Sequence, residues 1–155
     1  MKIQEAIDRV DILKPNHYTD EDKISWLNRL DGQIWRELVS THEQRAHEKH
    51  HHGVGPMDFL QDPIGDGNRE PEEHHHHGGG FRGYDLTTPR DTELLAEEPY
   101  TDVYIYYLMA QIDLGNAEIA KYNNDKALYN SAYLTYSDYY TRTHKPLSSI
   151  KHFRL

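Results

Sequence analysis

Apolar residues recur along this chain in two blocks of helical period, separated by a stretch with no period at all. Ile3, Ala6, Ile7 and Val10 fall at i, i+3, i+4 and i+7, the stripe of a short amphipathic helix. Lys14-Pro15-Asn16 ends it, because proline disfavours helical backbone in the residue before it. Thr19 followed by Asp20, Glu21 and Asp22 predicts the next start. A hydroxyl N-cap satisfies orphan N–H groups, and acids in the first turn complement the helix dipole. Ile24, Leu27, Leu30, Ile34 and Leu38 lie on one side of that helix, with Trp35 and Val39 beside them. Asp31-Gly32 is a turn signal inside the run. The period stays in phase on both sides, so the pattern predicts one helix to about residue 45.

From Ala46 to Thr92 the period disappears. This segment holds eight of the ten glycines, four of the seven prolines and eight of the twelve histidines. A structureless stretch of that length is uncommon inside a compact domain and is usually functional or disordered. Towards its end, residues 84–88 and 92–96 have the makings of a short β-hairpin around Pro89, Arg90 and Asp91.

The second periodic block begins near Pro99, which suits a first helical turn. Val103, Tyr106, Tyr107, Ala110 and Leu114 form one stripe and Ile105, Leu108 and Ile112 another. A helix apolar on two sides is central in its fold or buried between subunits. Tyr122-Asn123-Asn124-Asp125 reads as a stop and a fresh cap. In the last helix Leu128, Ala132, Tyr136 and Tyr140 share a face with Tyr129 and Tyr133 adjacent, and Lys145-Pro146 ends it. The expected fold is mainly α in a single domain. Its four helices are expected at about 2–13, 19–45, 99–121 and 124–144. A His/Gly/Pro-rich insertion loop is expected over 46–83 and a basic C-terminal arm over 145–155.

Composition narrows the functions open to such a fold. Only 36% of the 155 residues are hydrophobic, which implies a thin core or a surface completed by partners. Net charge is -9, against non-specific nucleic-acid binding, which needs clustered Lys and Arg. The sign is uneven. No acid follows Asp138, while Arg142, Lys145, Lys151 and Arg154 do, so the tail carries +4 and the remainder -13. With no cysteine, neither a disulfide framework nor thiolate zinc ligation is possible. Met1-Lys2 leads straight into a polar helix pattern and no apolar run approaches the ~18 residues a membrane span needs, so the chain is expected to be intracellular at synthesis.

Little of the candidate chemistry survives inspection. His47-Glu48-Lys49-His50-His51 matches H-E-x-x-H, in which two histidines one helical turn apart hold zinc and the glutamate acts as base. Here it sits in a histidine-rich tract where such spacing arises by chance, and Gly53-Val54-Gly55-Pro56 offers no continuing helix. No third ligand is visible. Imidazole is a good ligand for Zn²⁺ and Ni²⁺, which makes His47, His51, His74 and His76 weak metal candidates in what reads as a solvated loop. No metal or other cofactor is expected.

Ten of the twelve tyrosines lie between Glu98 and His144. Base stacking would need basic residues interleaved with them, and only Lys121 and Lys126 occur between Tyr100 and Tyr140. Core and subunit packing is the expected role of Val103, Tyr106, Tyr107, Tyr136 and Tyr140, since a tyrosine's body is apolar and its hydroxyl can face water. Asp102, Asp113, Glu118 and Asp138 read as exposed helix faces. The tail has a character of its own. Leu147, Ile150, Phe153 and Leu155 alternate with Lys151 and Arg154 beyond a proline, a composition that reads equally as a frayed terminus or as a peptide arm that docks in a groove on an acidic partner.

Several segments together carry a resemblance. The opening IQEAIDRVDILKPNHY, the helix DKISWLNRLDGQIWREL, the junction YDLTTPRDTELLAEEPY and the block YLMAQIDLGNAEIAKYNNDKALYNSAY with YYTRTHKP resemble the head–tail connector (adaptor) proteins of long-tailed bacteriophages. The resemblance covers about residues 1–42 and 84–146 and leaves out the His-rich insertion. It implies a mostly helical, non-enzymatic virion subunit, made in the host cytoplasm and assembled as a ring, commonly of twelve copies, below the portal protein. Such a ring extends the channel for passing DNA, without sequence recognition, and docks the next neck or stopper protein. It also implies that the tail, through Leu147, Ile150, Lys151, Phe153, Arg154 and Leu155, reaches into the portal. The alternatives are a His-rich metal-binding protein, or another neck component such as a stopper or tail-completion protein.

Overall fold

A computed structural model describes residues 1–43 and 80–147 of the chain. The larger part of the insertion and the last eight residues lie outside them. The fold is mainly helical: α1 is Ile3–Leu13, α2 Asp20–Glu37, α3 Asp102–Gly115 and α4 Ile119–Thr143, with a 3-10 turn at Val39–Thr41 after α2. α3 is the hub, packed against α1, α2 and most extensively α4.

The first two helices follow their sequence signals closely. α1 buries Ile3, Ala6, Ile7 and Val10 and stops at Lys14 ahead of Pro15. At the start of α2, Thr19 Oγ1 accepts from the Asp22 N–H at 3.2 Å, and the Asp22 carboxylate accepts from the Thr19 N–H at 3.0 Å. This reciprocal pair satisfies two backbone donors at the helix entrance. α2 runs unbroken through Asp31-Gly32 and buries Ile24, Leu27, Leu30 and Ile34.

Other boundaries differ from the periodic expectation, each for a local reason. α2 stops at Glu37, short of 45. Beyond it Ser40 and Thr41 turn their hydroxyls back onto the Arg36, Glu37 and Leu38 carbonyls, taking acceptors that a continuing helix would need. α3 begins at Asp102, past the cis Glu98–Pro99 bond. It ends at Gly115, where Ala117 adopts a left-handed φ of 57° and the Glu118 N–H closes the turn on the Asp113 carbonyl at 2.9 Å. The stop read at residues 122–125 is therefore not one. Asp125 is an interior, buried residue of α4.

Residues 80–101 form no β-hairpin and run as a strap of turns across the bundle. Their backbone pairs with the start of α1 instead: Ile3 N–H reaches Thr92 O and Leu94 N–H reaches Met1 O, both at 3.0 Å. Leu94 and Ala96 enter the core. The strap's upper half is tied to α2 by Tyr84, whose N–H meets Asn28 Oδ1 at 2.9 Å and whose hydroxyl meets Asp31 at 2.6 Å.

Three ionic ties, each with at least one buried member, bind the helices to one another, and none was apparent in the periodic pattern. Lys23 is buried and forks onto both oxygens of Asp11 at 2.6 and 2.8 Å, joining α2 to α1. Lys14 lies 2.6 Å from Asp113 and 2.5 Å from Asp125, joining the end of α1 to α3 and α4. Asp113, expected on an exposed face, is fully buried. Close packing of the α1–α2 loop on the end of α3 depends on Gly115. A Cβ there would overlap the Tyr18 hydroxyl and come 2.8 Å from Tyr18 Cζ. Gly115→Ala is therefore expected to cost about 1–3 kcal/mol through overpacking, measured as a lowered denaturant midpoint. Tyr18→Phe combined with it should recover part of the loss.

Candidate assembly interface

α4 supplies both the interior aromatic face and the outer face of this region. Its 25 residues extend about 37 Å at 1.5 Å per residue. Tyr129, Tyr136 and Tyr140 recur on the side turned to α3 and are buried there. Tyr129 packs on Tyr107 with ring centroids 5.2 Å apart, and Tyr136 meets Tyr140 edge-on at 5.9 Å. Tyr100, ahead of α3, stacks on Tyr139 at 4.5 Å. Offset and edge-to-face rings are the favoured geometries of aromatic pairs. The hydroxyls find partners at the rim: Tyr139 donates to Glu97 at 2.9 Å, and Tyr133 donates to Glu37.

These contacts locate the five residues expected to pack subunits. Val103, Tyr107, Tyr136 and Tyr140 are buried in the chain's own core, and Tyr106 is half-buried. Their surface is largely used inside one chain. The aliphatic surface still open to a neighbour lies elsewhere, on residues the period did not single out. From Ala127 to Ser137 α4 carries no charge, and its exposed positions there are Ala127, Leu128, Asn130, Ser131, Leu134 and Thr135. Leu134 is 63% exposed and Leu128 46%. Leu128, read from the sequence as part of the buried face, is displaced from it by Tyr129, which takes the contact with Tyr107. Leu13, Leu114 and Ile119 are also exposed. Leu13 and Leu114 are chain neighbours of Lys14 and Asp113, and Ile119 begins α4.

The root of the C-terminal arm is built at the other end of α4. The helix ends where His144 turns its Nδ1 onto the Tyr140 carbonyl at 3.1 Å, its ring stacked on Tyr140 at 3.9 Å. Lys145 then turns away. The Glu43 N–H donates to Lys145 O at 2.7 Å and the Leu147 N–H to Thr41 O at 2.9 Å, forming an antiparallel bridge of His42 with Pro146. Leu147 itself is exposed. Ile150, Lys151, Phe153, Arg154 and Leu155 lie outside the described residues, as do His47, His51, His74 and His76.

Among the described residues no three His, Asp or Glu side chains group as a metal site, and no helix is long and apolar enough to cross a membrane. An open groove of about 420 Å³ runs along the outer side of α1, lined by Glu5, Asp8, Arg9, Ile12 and Arg90 among others. No protein-family model, curated protein or solved structure matches the chain.

Proposed function

We propose that this chain is a structural virion subunit, a head–tail adaptor that assembles as a ring below the portal of a long-tailed bacteriophage. In this reading it extends the DNA channel and docks the next neck component, and none of its residues is catalytic. The resemblance over residues 1–42 and 84–146 motivates the proposal. The structural observation that carries it is the uncharged outer face of α4, where Leu128 and Leu134 stand in water on a chain of net charge -9. Protein–protein contacts use apolar surface of this kind where it is contiguous, and copies of an acidic chain meet at least electrostatic cost where charge is absent. An acidic body also suits a channel wall that repels DNA phosphates and lets the duplex slide. The helical architecture weighs against the stopper alternative, for which a β-rich subunit is expected. The arm, leaving beside residues 41–43, would provide the portal contact through Ile150, Lys151, Phe153, Arg154 and Leu155.

The test is the native mass of the protein alone and with portal, by light scattering and electron microscopy. The expected result is a multi-subunit ring, at least when portal is present. Leu128→Glu combined with Leu134→Glu should return the protein to single chains with its helical circular dichroism unchanged, because both side chains lie outside the core. A wild-type chain that stays monomeric and indifferent to portal would remove the proposal, as would a double variant that assembles normally.

A further inference from the structure

One carboxylate holds the strap to the bundle in a setting that makes the hold depend on a proton. Asp31 is 0% exposed. Its Oδ1 accepts from the Tyr104 hydroxyl at 2.6 Å. Its Oδ2 accepts from the Tyr84 hydroxyl at 2.6 Å and the Leu95 N–H at 3.1 Å. All three donors are neutral, and no Lys, Arg or His forms an ion pair with Asp31 among the described residues. Taking this carboxylate out of water favours its protonated form, the three hydrogen bonds it accepts favour the ionised form, and no ion pair adds to them.

The groups facing it can be named element by element. The strap contributes Tyr84, α3 contributes Tyr104, and α4 contributes Tyr136, whose phenol senses the Asp31 charge. The amino group of Met1 is the one cation near enough to favour the ionised form, and it acts least of all the influences on Asp31.

We propose that Asp31 is a proton-operated latch on the 80–96 strap, tight when its carboxyl is protonated and loosened when the carboxyl ionises. Protonation need not break any of the three contacts. With the proton on Oδ2, that oxygen still accepts from Leu95 and donates to the Tyr84 oxygen, while half-buried Tyr84 turns its own hydrogen to water. Tyr104 keeps its bond to Oδ1 and goes on accepting from the Ala96 N–H at 2.6 Å. The desolvated charge is gone, and the strap keeps its anchor. Ionisation restores that charge inside the bundle, and opening of the strap lets water reach it.

The direction with pH follows. Burial, opposed by the Tyr104, Tyr84 and Leu95 hydrogen bonds, raises the carboxyl from its ordinary 3.8 to about 6 when the strap is closed. With the strap open the ordinary value returns, so the closed form binds the extra proton between these two values. Closure is therefore favoured as pH falls below about 6, and the advantage is complete below 3.8. Between pH 7.5 and pH 5 the opening equilibrium should fall about tenfold.

Amide hydrogen exchange at the Leu95 N–H in the full chain tests this directly. Its protection factor, corrected for intrinsic exchange, should rise about tenfold from pH 7.5 to pH 5 in the wild type. In Asp31→Asn, which keeps the shape and cannot ionise, it should be the same at both. A wild-type factor that is flat or falls towards pH 5, or a variant that rises equally, would overturn the latch. Should the variant fail to fold, the side-chain carboxyl carbon of Asp31 can be titrated by NMR in the wild type. A midpoint near 6 supports the proposal, and one near 4 refutes it.

Discussion

Lys14→Met is expected to destabilise the protein by about 3–5 kcal/mol, the usual cost of removing one partner from a buried ion pair. The reason is what it leaves behind. Asp113 is fully buried at the end of α3 and its charge is matched by the Lys14 ammonium 2.6 Å away. The approach is off-axis, so neither Asp113 oxygen has a well-directed hydrogen bond. The carboxylate depends on Coulomb attraction, and it has no other cation to turn to among the described residues. Asp125, at 2.5 Å from the same nitrogen, lies nearer the surface and can be rehydrated. Removing both members of the inner pair should therefore be milder than removing one. Lys14→Met with Asp113→Asn is expected to recover most of the loss, since a neutral amide costs far less to bury than an orphaned charge. Denaturant midpoints for the two single variants and the double variant close the cycle. A single-variant cost below about 1 kcal/mol, the value of an ordinary surface pair, would show that water reaches Asp113.

That tie also shows where sequence reading stops. The stripes of α1 and α2, the Thr19 cap and the stop at Pro15 are local properties, fixed by neighbours three or four residues away, and they are legible as such. The partners of the buried charges are not local. Lys14 and Asp125 are 111 residues apart in the chain. Asp31 meets Tyr104 across 73 residues. Nothing near Asp113 distinguishes it from Asp102 or Asp138, which α3 and α4 leave in water. A helical period likewise identifies an apolar face without saying what covers it. Tyr107, Tyr136 and Tyr140 were identifiable as packing residues, but their burial within one chain depends on how α4 rolls against α3. Leu128 and Tyr129 are equivalent to a pattern of apolar positions. The fold separates them, because Tyr129 finds Tyr107 and an ammonium, Lys126, 4.3 Å from its ring centroid. The end of α3 was hidden for a similar reason, since apolar residues continue in step from Ile112 to Ile119 across a turn made by Gly115 and Ala117.

The tyrosine-lined core should make the fold collapse in alkali, above about pH 11. Tyr104, Tyr129 and Tyr136 are buried, and desolvation raises all three phenols well above 10. Nearby negative charge adds to the effect, Asp31 at Tyr104 and Glu37 at Tyr129. In the unfolded chain the same phenols ionise near their ordinary 10, so above that pH the unfolded state holds fewer protons than the folded one and stability falls as pH rises. At pH 11 each such phenol costs about 1.4 kcal/mol, or about 4 kcal/mol for the three, against a total of roughly 5–15 kcal/mol for a domain of ordinary stability. Lys14 acts in the same direction. Desolvation lowers its pKa, but the Asp125 hydrogen bond and the charges of Asp113 and Asp125 outweigh that, and the net shift is upward. The stabilisation it gives is present below 10.5 and lost as pH rises through its folded value. Loss of helical circular dichroism and the rise of tyrosinate absorbance at 295 nm are therefore expected as one cooperative transition between about pH 11 and 12. Exposed phenols will titrate ahead of it near 10. If every tyrosine ionised near pH 10 while the helices persisted, the aromatic face of α4 would be open to water and the core described above would be wrong.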